Sequence, residues 1–402
     1  MAGLDLLLRG QAGLSETELV VRALDNPVDC PPLEELARNV ASVVVISSDH
    51  TRPVPSKIIM PQILKRIRTG NPDADITILI ATGFHRGTTV EELVDKFGPE
   101  IVEKEKIVVH DSRDEAMLVD VGTLPSGGKL RLNKLAMECD LLIAEGFIEP
   151  HFFAGFSGGR KSVLPGVAAA ETVLANHCAE FISNDCARTG LLQNNPMHKD
   201  MLYAANAANL QFIVNVVINA KKEIINAVSG AHETAHLAGC EFLSGLCRAN
   251  SPKADIVITS NGGYPLDQNL YQAVKGMTAA EAACNDNGVI IMIAGCANGH
   301  GGESFYRSMA EAESPQALYK EACMIPRDRT KPDQWEYQIL CRILCKHRVI
   351  MVTDLCSPEM IREMHMEQTP DFKTALSLAL SDKGADAKIA VIPDGVSVIV
   401  EG

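Results

Sequence analysis

Short β-branched apolar runs recur along the chain, each followed by a polar stretch rich in glycine. Residues 41–47, 75–81, 106–110, 140–145, 254–259, 289–294 and 348–353 read as strands. Between them lie helical patterns, among them 56–68, 89–97 and 170–181. Such alternation predicts an α/β fold with mainly parallel sheets and crossover helices. Two segments depart from it. Residues 212–229 carry two apolar runs around Ala220-Lys-Lys, and 387–401 carry two around Pro393-Asp-Gly; both read as hairpins. The polar break Arg248-Ala-Asn-Ser-Pro-Lys precedes a fresh strand–helix series. It divides the chain into an N-terminal domain, 1–248, and a C-terminal α/β domain, 249–385.

The predicted strand ends share a chemistry. They read Ser48-Asp-His-Thr-Arg-Pro, Thr82-Gly-Phe-His-Arg-Gly, Gly146-Phe-Ile-Glu-Pro-His, Ser260-Asn-Gly-Gly-Tyr-Pro and Gly295-Cys-Ala-Asn-Gly-His-Gly-Gly. Parallel sheets bind ligands beyond their carboxyl ends, so these exits predict one active site in an interdomain cleft. The most informative stretch is 150–166, Pro-His-Phe-Phe-Ala-Gly-Phe-Ser-Gly-Gly-Arg-Lys-Ser-Val-Leu-Pro-Gly. Its glycines allow backbone amides to approach a phosphate, and Lys161 offers an amine for charge pairing or a covalent link. The run nearly spells a P-loop, but Arg160 stands where a glycine should precede Lys-Ser.

Composition narrows the class. A formal charge of −14 argues against nucleic acid as the main partner, while a local basic cluster still suits a small anion. No apolar run is long enough to span a membrane, and Met1-Ala-Gly-Leu-Asp does not open a secretory signal. The twelve cysteines, Cys30 to Cys356, form no C-x-x-C pair and read as reduced thiols of a cytoplasmic protein.

His85 and His151, on separate exits, suit a reaction needing a base on each face of a planar intermediate, the logic of racemisation. Arg52 and Arg86 are candidate carboxylate holders, with surface ion pairs as the plainer alternative. His177 lies sixteen residues after Lys161 and could return above the loop on a helix, as a metal ligand or an ordinary core histidine. His232-Glu-Thr-Ala-His236 matches the H-E-x-x-H zinc pattern, but no third ligand follows at a suitable distance. His300 and Glu303 are candidate contacts for a bulkier or polar substrate, or else parts of a self-stabilised loop.

Four motifs carry a resemblance over nearly the whole chain. They are Ser48-Asp-His-Thr-Arg-Pro, Thr82-Gly-Phe-His-Arg-Gly, Pro150-His-Phe-Phe-Ala-Gly-Phe-Ser-Gly-Gly-Arg-Lys and Tyr264-Pro-Leu-Asp-Gln-Asn-Leu-Tyr-Gln-Ala-Val-Lys-Gly-Met. With them the chain resembles the nickel-pincer-dependent lactate racemase family of 2-hydroxy-acid racemases and epimerases. The resemblance implies a pyridinium-3-thioamide-5-thiocarboxylic acid mononucleotide carrying Ni(II), joined to Lys161 through a thioamide. It implies His177 as the protein ligand to nickel, a role suited to square-planar Ni(II) with soft donors. His85 and His151 match the paired acid/base residues, and hydride passes reversibly between substrate C2 and the cofactor. Arg52, Lys275, Gln272 and Tyr271 match substrate-binding positions. Asp49 would orient neighbouring groups or the cofactor, and Ser157, Gly158 and Gly159 would cradle the mononucleotide phosphate. The implied partners are a small 2-hydroxy acid and proteins that build and deliver the cofactor. The terminal hairpin, 386–402, would return to the first domain. Two other readings stay open: a cofactor carrier or sensor without turnover, and a zinc hydrolase using residues 232–236.

Overall fold

A computed structural model describes residues 13–401; the Met1–Asp5 stretch, read above as lacking a signal, lies outside the described residues. The chain forms two compact units. Of the described residues, the first comprises 13–149, 156–176 and 196–246, and the second 150–155, 177–195 and 247–401.

The first unit is built on a six-stranded sheet. Its strands are β1 (Ser42–Ser48), β2 (Asp75–Ala81), β3 (Lys106–Val109), β4 (Leu141–Phe147), β5 (Leu210–Ile218) and β6 (Ile224–Gly230). They lie in the order β6-β5-β4-β1-β2-β3. All neighbours run parallel except β6, which pairs antiparallel with β5. The hairpin expected at 212–229 is this β5–β6 pair. β1 and β4 are buried along almost their whole length, as strands with both faces covered must be. Helix Ser56–Gly70 buries Ile59, Met60, Ile63, Leu64 and Ile67, whose three-to-four-residue spacing makes one apolar face. That face joins Val43, Val45, Ile78, Ile143 and Val214 in a single core. The chain leaves β1 towards β2 and β3, then returns to place β4 on the other side. This reversal makes the carboxyl ends of β1 and β4 the place where doubly wound sheets open a crevice.

The second unit has a five-stranded, wholly parallel sheet of β7 (Ala254–Ser260), β8 (Cys284–Ile293), β9 (Arg348–Val352), β10 (Glu367–Thr369) and β11 (Ile389–Ile392), ordered β10-β9-β8-β7-β11. Helix Leu270–Ala283 connects β7 to β8, and helix Gln334–Leu344 precedes β9. Ile256, Ile258, Val289, Ile291, Ile350 and Val352 pack against Ala375 and Ala379 of helix Phe372–Lys383.

The end of the chain differs from the expectation. Residues 387–401 form no hairpin and do not join the first unit. β11 extends the sheet beside β7, and Ile399–Glu401 pairs in parallel with Arg248–Asn250. The turn at Pro393-Asp-Gly is used within the second unit, where Ser260 Oγ donates to Pro393 O (2.5 Å) and Gly395 N to Ser260 O (2.8 Å). The helix expected over 170–181 is also interrupted. It ends at Asn176, and a short helix, Ala179–Ile182, begins after Cys178. His177 occupies the break.

Candidate active-site residues of the two units

In the first unit the reversal of strand order is lined by charge. Asp49, just past β1, is buried and divides its two oxygens. Oδ1 accepts from Thr51 N (3.1 Å) and Thr51 Oγ1 (2.7 Å), a side-chain turn that fixes the carboxylate. Oδ2 lies 2.7 Å from His85 Nδ1. Burial works against the Asp49 charge, yet His85, Thr51 and Arg52 together hold its pKa below the ordinary carboxylate range. A carboxylate cannot donate, so His85 carries its neutral-state proton on Nδ1 and turns a basic Nε2 outward. The His85 loop is closed by a capping box at helix Val90–Phe97. Thr89 Oγ1 accepts from Glu92 N, and Glu92 accepts from Thr89 N (2.8 Å). Arg86 pairs bidentately with Glu92 on the exposed surface (2.6 and 2.9 Å), the plainer of its two expected roles. Arg52 is exposed, its amide 3.3 Å from Asp49 O.

Beneath these groups sits a buried set that the sequence did not suggest. Ser47 Oγ and Ser56 Oγ donate to Glu145 Oε1 of β4. Lys96 Nζ donates to Ser48 Oγ (3.1 Å), and burial lowers its pKa against the pull of Glu145 and Asp49.

The glycine turn follows β4. Gly158 and Gly159 have φ of +77° and +52°, which L side chains adopt at a cost. A Cβ at Gly158 would stand 2.9 Å from Phe147 O, and one at Gly159 would stand 2.8 Å from the His236 ring. The Ser157 amide donates to Glu149 O (2.9 Å) and the Gly159 amide to Asn215 Oδ1 (2.8 Å). Ser157 Oγ accepts from Glu149 N (2.9 Å). These amides serve protein acceptors, so the phosphate cradle expected from Ser157 and Gly159 does not follow from their geometry. The glycines permit close approach instead. Lys161 stands half-buried on the 3-10 turn Gly159–Ser162.

Arg160, the residue that spoils the P-loop pattern, is 1% exposed. Its guanidinium reaches Phe156 O (2.8 Å), Gly158 O (3.3 Å), His198 Nδ1 (3.0 Å) and His236 Nε2 (3.1 Å). Burial, followed by the Arg160 charge, lowers both histidines, His198 to about 4, so each ring is neutral, and His198 Nδ1 accepts from Arg160. His236 Nε2 donates to Ser157 O (2.8 Å), so the guanidinium lies against this nitrogen without bonding to it. Here the H-E-x-x-H match finds its use: helix Thr234–Cys247 begins after His232, and His236 clamps the glycine turn beside a cation. His232 Nε2 lies 2.9 Å from Asn206 Oδ1. A guanidinium at His236 Nε2 leaves no place for a second cation, so this pair is not a zinc site.

In the second unit, His151, His177, Tyr271 and Lys275 come together. His151 stacks on Phe152 (centroids 5.1 Å apart) and meets the edge of Phe153 (4.5 Å). The Ala154 N–H donates to His151 Nδ1 (3.3 Å), which puts the proton of the neutral ring on Nε2. His177 is buried between the rings of Phe153 (5.3 Å) and Trp335 (5.1 Å). Trp335 Nε1 donates to Tyr271 Oη (2.8 Å). Tyr271 and Lys275 sit one turn apart on helix Leu270–Ala283, which Asn269 caps by accepting from Gln272 N (2.9 Å). Lys275 Nζ lies 5.9 Å from the Phe152 ring. Trp335 and its neighbour Glu336, fully buried, carry no motif and were missed; the single tryptophan of the chain was the only available signal. His300 instead serves its own loop: Gly302 N donates to His300 Nδ1 (3.1 Å), and the ring stacks on Tyr306.

Parallel sheets with acid/base and cationic side chains gathered at their carboxyl ends define an α/β enzyme. The Lactate racemase N-terminal domain profile matches residues 9–190, and the Lactate racemase C-terminal domain profile matches 249–400. The chain is 58% identical to a lactate racemase of Thermoanaerobacterium thermosaccharolyticum over 98% of this chain and 94% of that one. It is 55% identical to a lactate racemase of Lactiplantibacillus plantarum over 96% and 92% respectively. The solved lactate racemase apoprotein from T. thermosaccharolyticum superimposes with a TM-score of 0.96 at 59% identity, covering 96% of this chain and 93% of that one. A Thermotoga maritima protein at 19% identity shares the fold, with a TM-score of 0.70 over 96% of this chain and 99% of that one. The chain belongs to the lactate racemase family.

Proposed function

We propose that this chain is a racemase of 2-hydroxy acids, an isomerase acting on lactate or a close analogue, with His85 and His151 as its acid/base pair. The observation that carries the proton assignment is the Asp49 carboxylate on His85 Nδ1, which fixes that ring's tautomer and stabilises it once Nε2 has taken a proton. His85, held at Nδ1 by Asp49, offers a basic Nε2; His151 serves as the acid only as an imidazolium, whose second proton on Nδ1 displaces the long Ala154 contact (3.3 Å). One histidine takes the hydroxyl proton of one enantiomer, and the other returns a proton as the opposite enantiomer forms. Each turnover exchanges their states, which readies the enzyme for the reverse reaction.

The residues fit the nickel pincer implied by the resemblance. Lys161 stands on a tightly held turn after a parallel strand, suited to a covalent tether. His177 offers a buried imidazole. Among the described residues no group of three or more His, Cys, Asp or Glu side chains could hold a metal ion. Nickel at His177 would therefore take further donors from an organic group, and the two sulfurs of the pincer suit that need. When bound, the group supplies a hydride acceptor for substrate C2. Arg52 and Lys275 receive the carboxylate, and Tyr271, braced by Trp335, orients the substrate together with Gln272. Proteins that assemble and deliver the cofactor are the remaining partners. Twelve free thiols support a reducing, cytoplasmic setting; no helix among the described residues is long and apolar enough to cross a membrane.

Intact-protein mass spectrometry of chain co-expressed with pincer-assembly proteins tests the tether. A nickel-containing adduct is expected on the native chain and not on Lys161→Ala. Replacing His85 or His151 by Ala should lower lactate racemisation by roughly 100-fold or more with the adduct retained. An unmodified native chain overturns the cofactor reading. Adduct without racemisation by the native chain favours a carrier or sensor.

A further inference from the structure

Glu336 is a buried carboxylate beside the second unit's candidate site that the proposed chemistry does not use. It lies on the first turn of helix Gln334–Leu344, beside Trp335, and is 0% exposed. Neither of its oxygens has a hydrogen-bond partner among the described residues. A buried carboxylate without donors is strongly disfavoured unless a cation offsets it. The charged groups that bear on Glu336 are Lys275, from the packed helix Leu270–Ala283, and Asp333, at the start of its own helix. Glu281 and Arg342, further along the same two helices, pair with each other at 2.7 and 2.9 Å. Burial raises the Glu336 pKa to about 8, Lys275 pulls it down and Asp333 pushes it up.

We propose that Glu336 is a proton-linked positioning residue: as a carboxylate it faces and steadies the Lys275 ammonium, and it takes up a proton from solvent when a substrate carboxylate engages that ammonium. This rests on the reading that Lys275 receives the substrate carboxylate. The reason is charge balance. Ammonium and carboxylate together are neutral, and Arg52, the other residue proposed to meet the substrate, is exposed, so an arriving anion would leave two negative charges around the one cation beside Glu336. Like charges in a shared dry site do not both remain ionised. Protonating Glu336 restores neutrality and, with that attraction gone, releases Lys275 towards the substrate. No bond other than the new O–H forms, and the proton comes from the buffer.

Two measurements on the nickel-loaded enzyme test this. Calorimetric titration with lactate at pH 9, in buffers of different ionisation enthalpy, should report uptake approaching one proton per site. The KM for lactate should rise above pH 8 by up to about tenfold per pH unit. In Glu336→Gln, which keeps the shape without the charge, both the uptake and the slope should vanish, with the change appearing in KM rather than kcat. Absence of proton uptake by the native enzyme would overturn the proposal, whether or not the variant folds. So would a slope that persists in Glu336→Gln. Lys275→Ala separates the two layers. A KM raised tenfold or more supports Lys275 as the carboxylate site, so missing proton uptake would then remove only the role of Glu336. An unchanged KM would remove both.

Discussion

Arg160 offers a sharp test of how the glycine turn is held. Replacing it with Met keeps much of the length and removes the charge and every donor. Phe156 O, Gly158 O and His198 Nδ1 then lose the guanidinium that serves them at 2.8, 3.3 and 3.0 Å. Gly158 O keeps the Lys161 amide (3.2 Å), so the loss falls on Phe156 O and His198 Nδ1, at about 1–3 kcal/mol for each donor removed. Against this stands relief from burying a charge, a real opposing effect, since burial pushes the Arg160 pKa down to about 10. The guanidinium still stays protonated at neutral pH. The net loss expected for Arg160→Met is about 2–4 kcal/mol. Urea unfolding of the cofactor-free chain, with the midpoint and slope fitted together, measures it. Arg160→Lys should fall between, because one ammonium cannot reproduce the planar fork. A loss under about 1 kcal/mol for the Met variant would refute the claim that this side chain organises the turn.

Two further predictions concern protons. Asp49→Asn should keep the fold but let His85 adopt the other tautomer, lowering kcat/KM for racemisation by roughly 10²–10³; steady-state rates at both enantiomers check this, and native rates would dismiss the orienting role. Because the Glu336 pKa is raised from 4.5 to about 8 on folding, its contribution to stability is full below about pH 4 and declines as pH rises through 8. Glu336→Gln should therefore gain on the native chain between pH 5 and 9, by roughly 1–3 kcal/mol; equal differences at both ends in chemical unfolding would contradict it.

The sheets were legible because period and composition report burial directly: β1, β2, β4, β7, β8 and β9 fall within a few residues of the apolar runs. The turn at Pro393-Asp-Gly misled, since a local turn signal does not reveal which strand the following segment will pair with. The break at His177 was equally hidden, for Val173-Leu-Ala-Asn is good helix up to that residue. Asp49, His85, His151 and Lys161 stood out as polar groups at strand ends. Trp335 and Glu336 did not, because their meaning depends on Tyr271 and Lys275, about sixty residues earlier in the chain. Arg160 was visible only as a flaw in another motif, and its partners His198 and His236 come from distant helices.

The way the glycine turn is fastened would also decide what kind of tether Lys161 could be in the role proposed for it. Its neighbours are pinned to Glu149, Asn215, His198 and His236, so the Cα of Lys161 is a fixed pivot. A group attached there can explore only the reach of the lysine stem. It cannot be ferried between distant stations, as a prosthetic group on a floppy loop can be. The arrangement favours a stationary reagent to which successive substrate molecules come, and it spares each turnover the entropy of gathering the reacting parts anew.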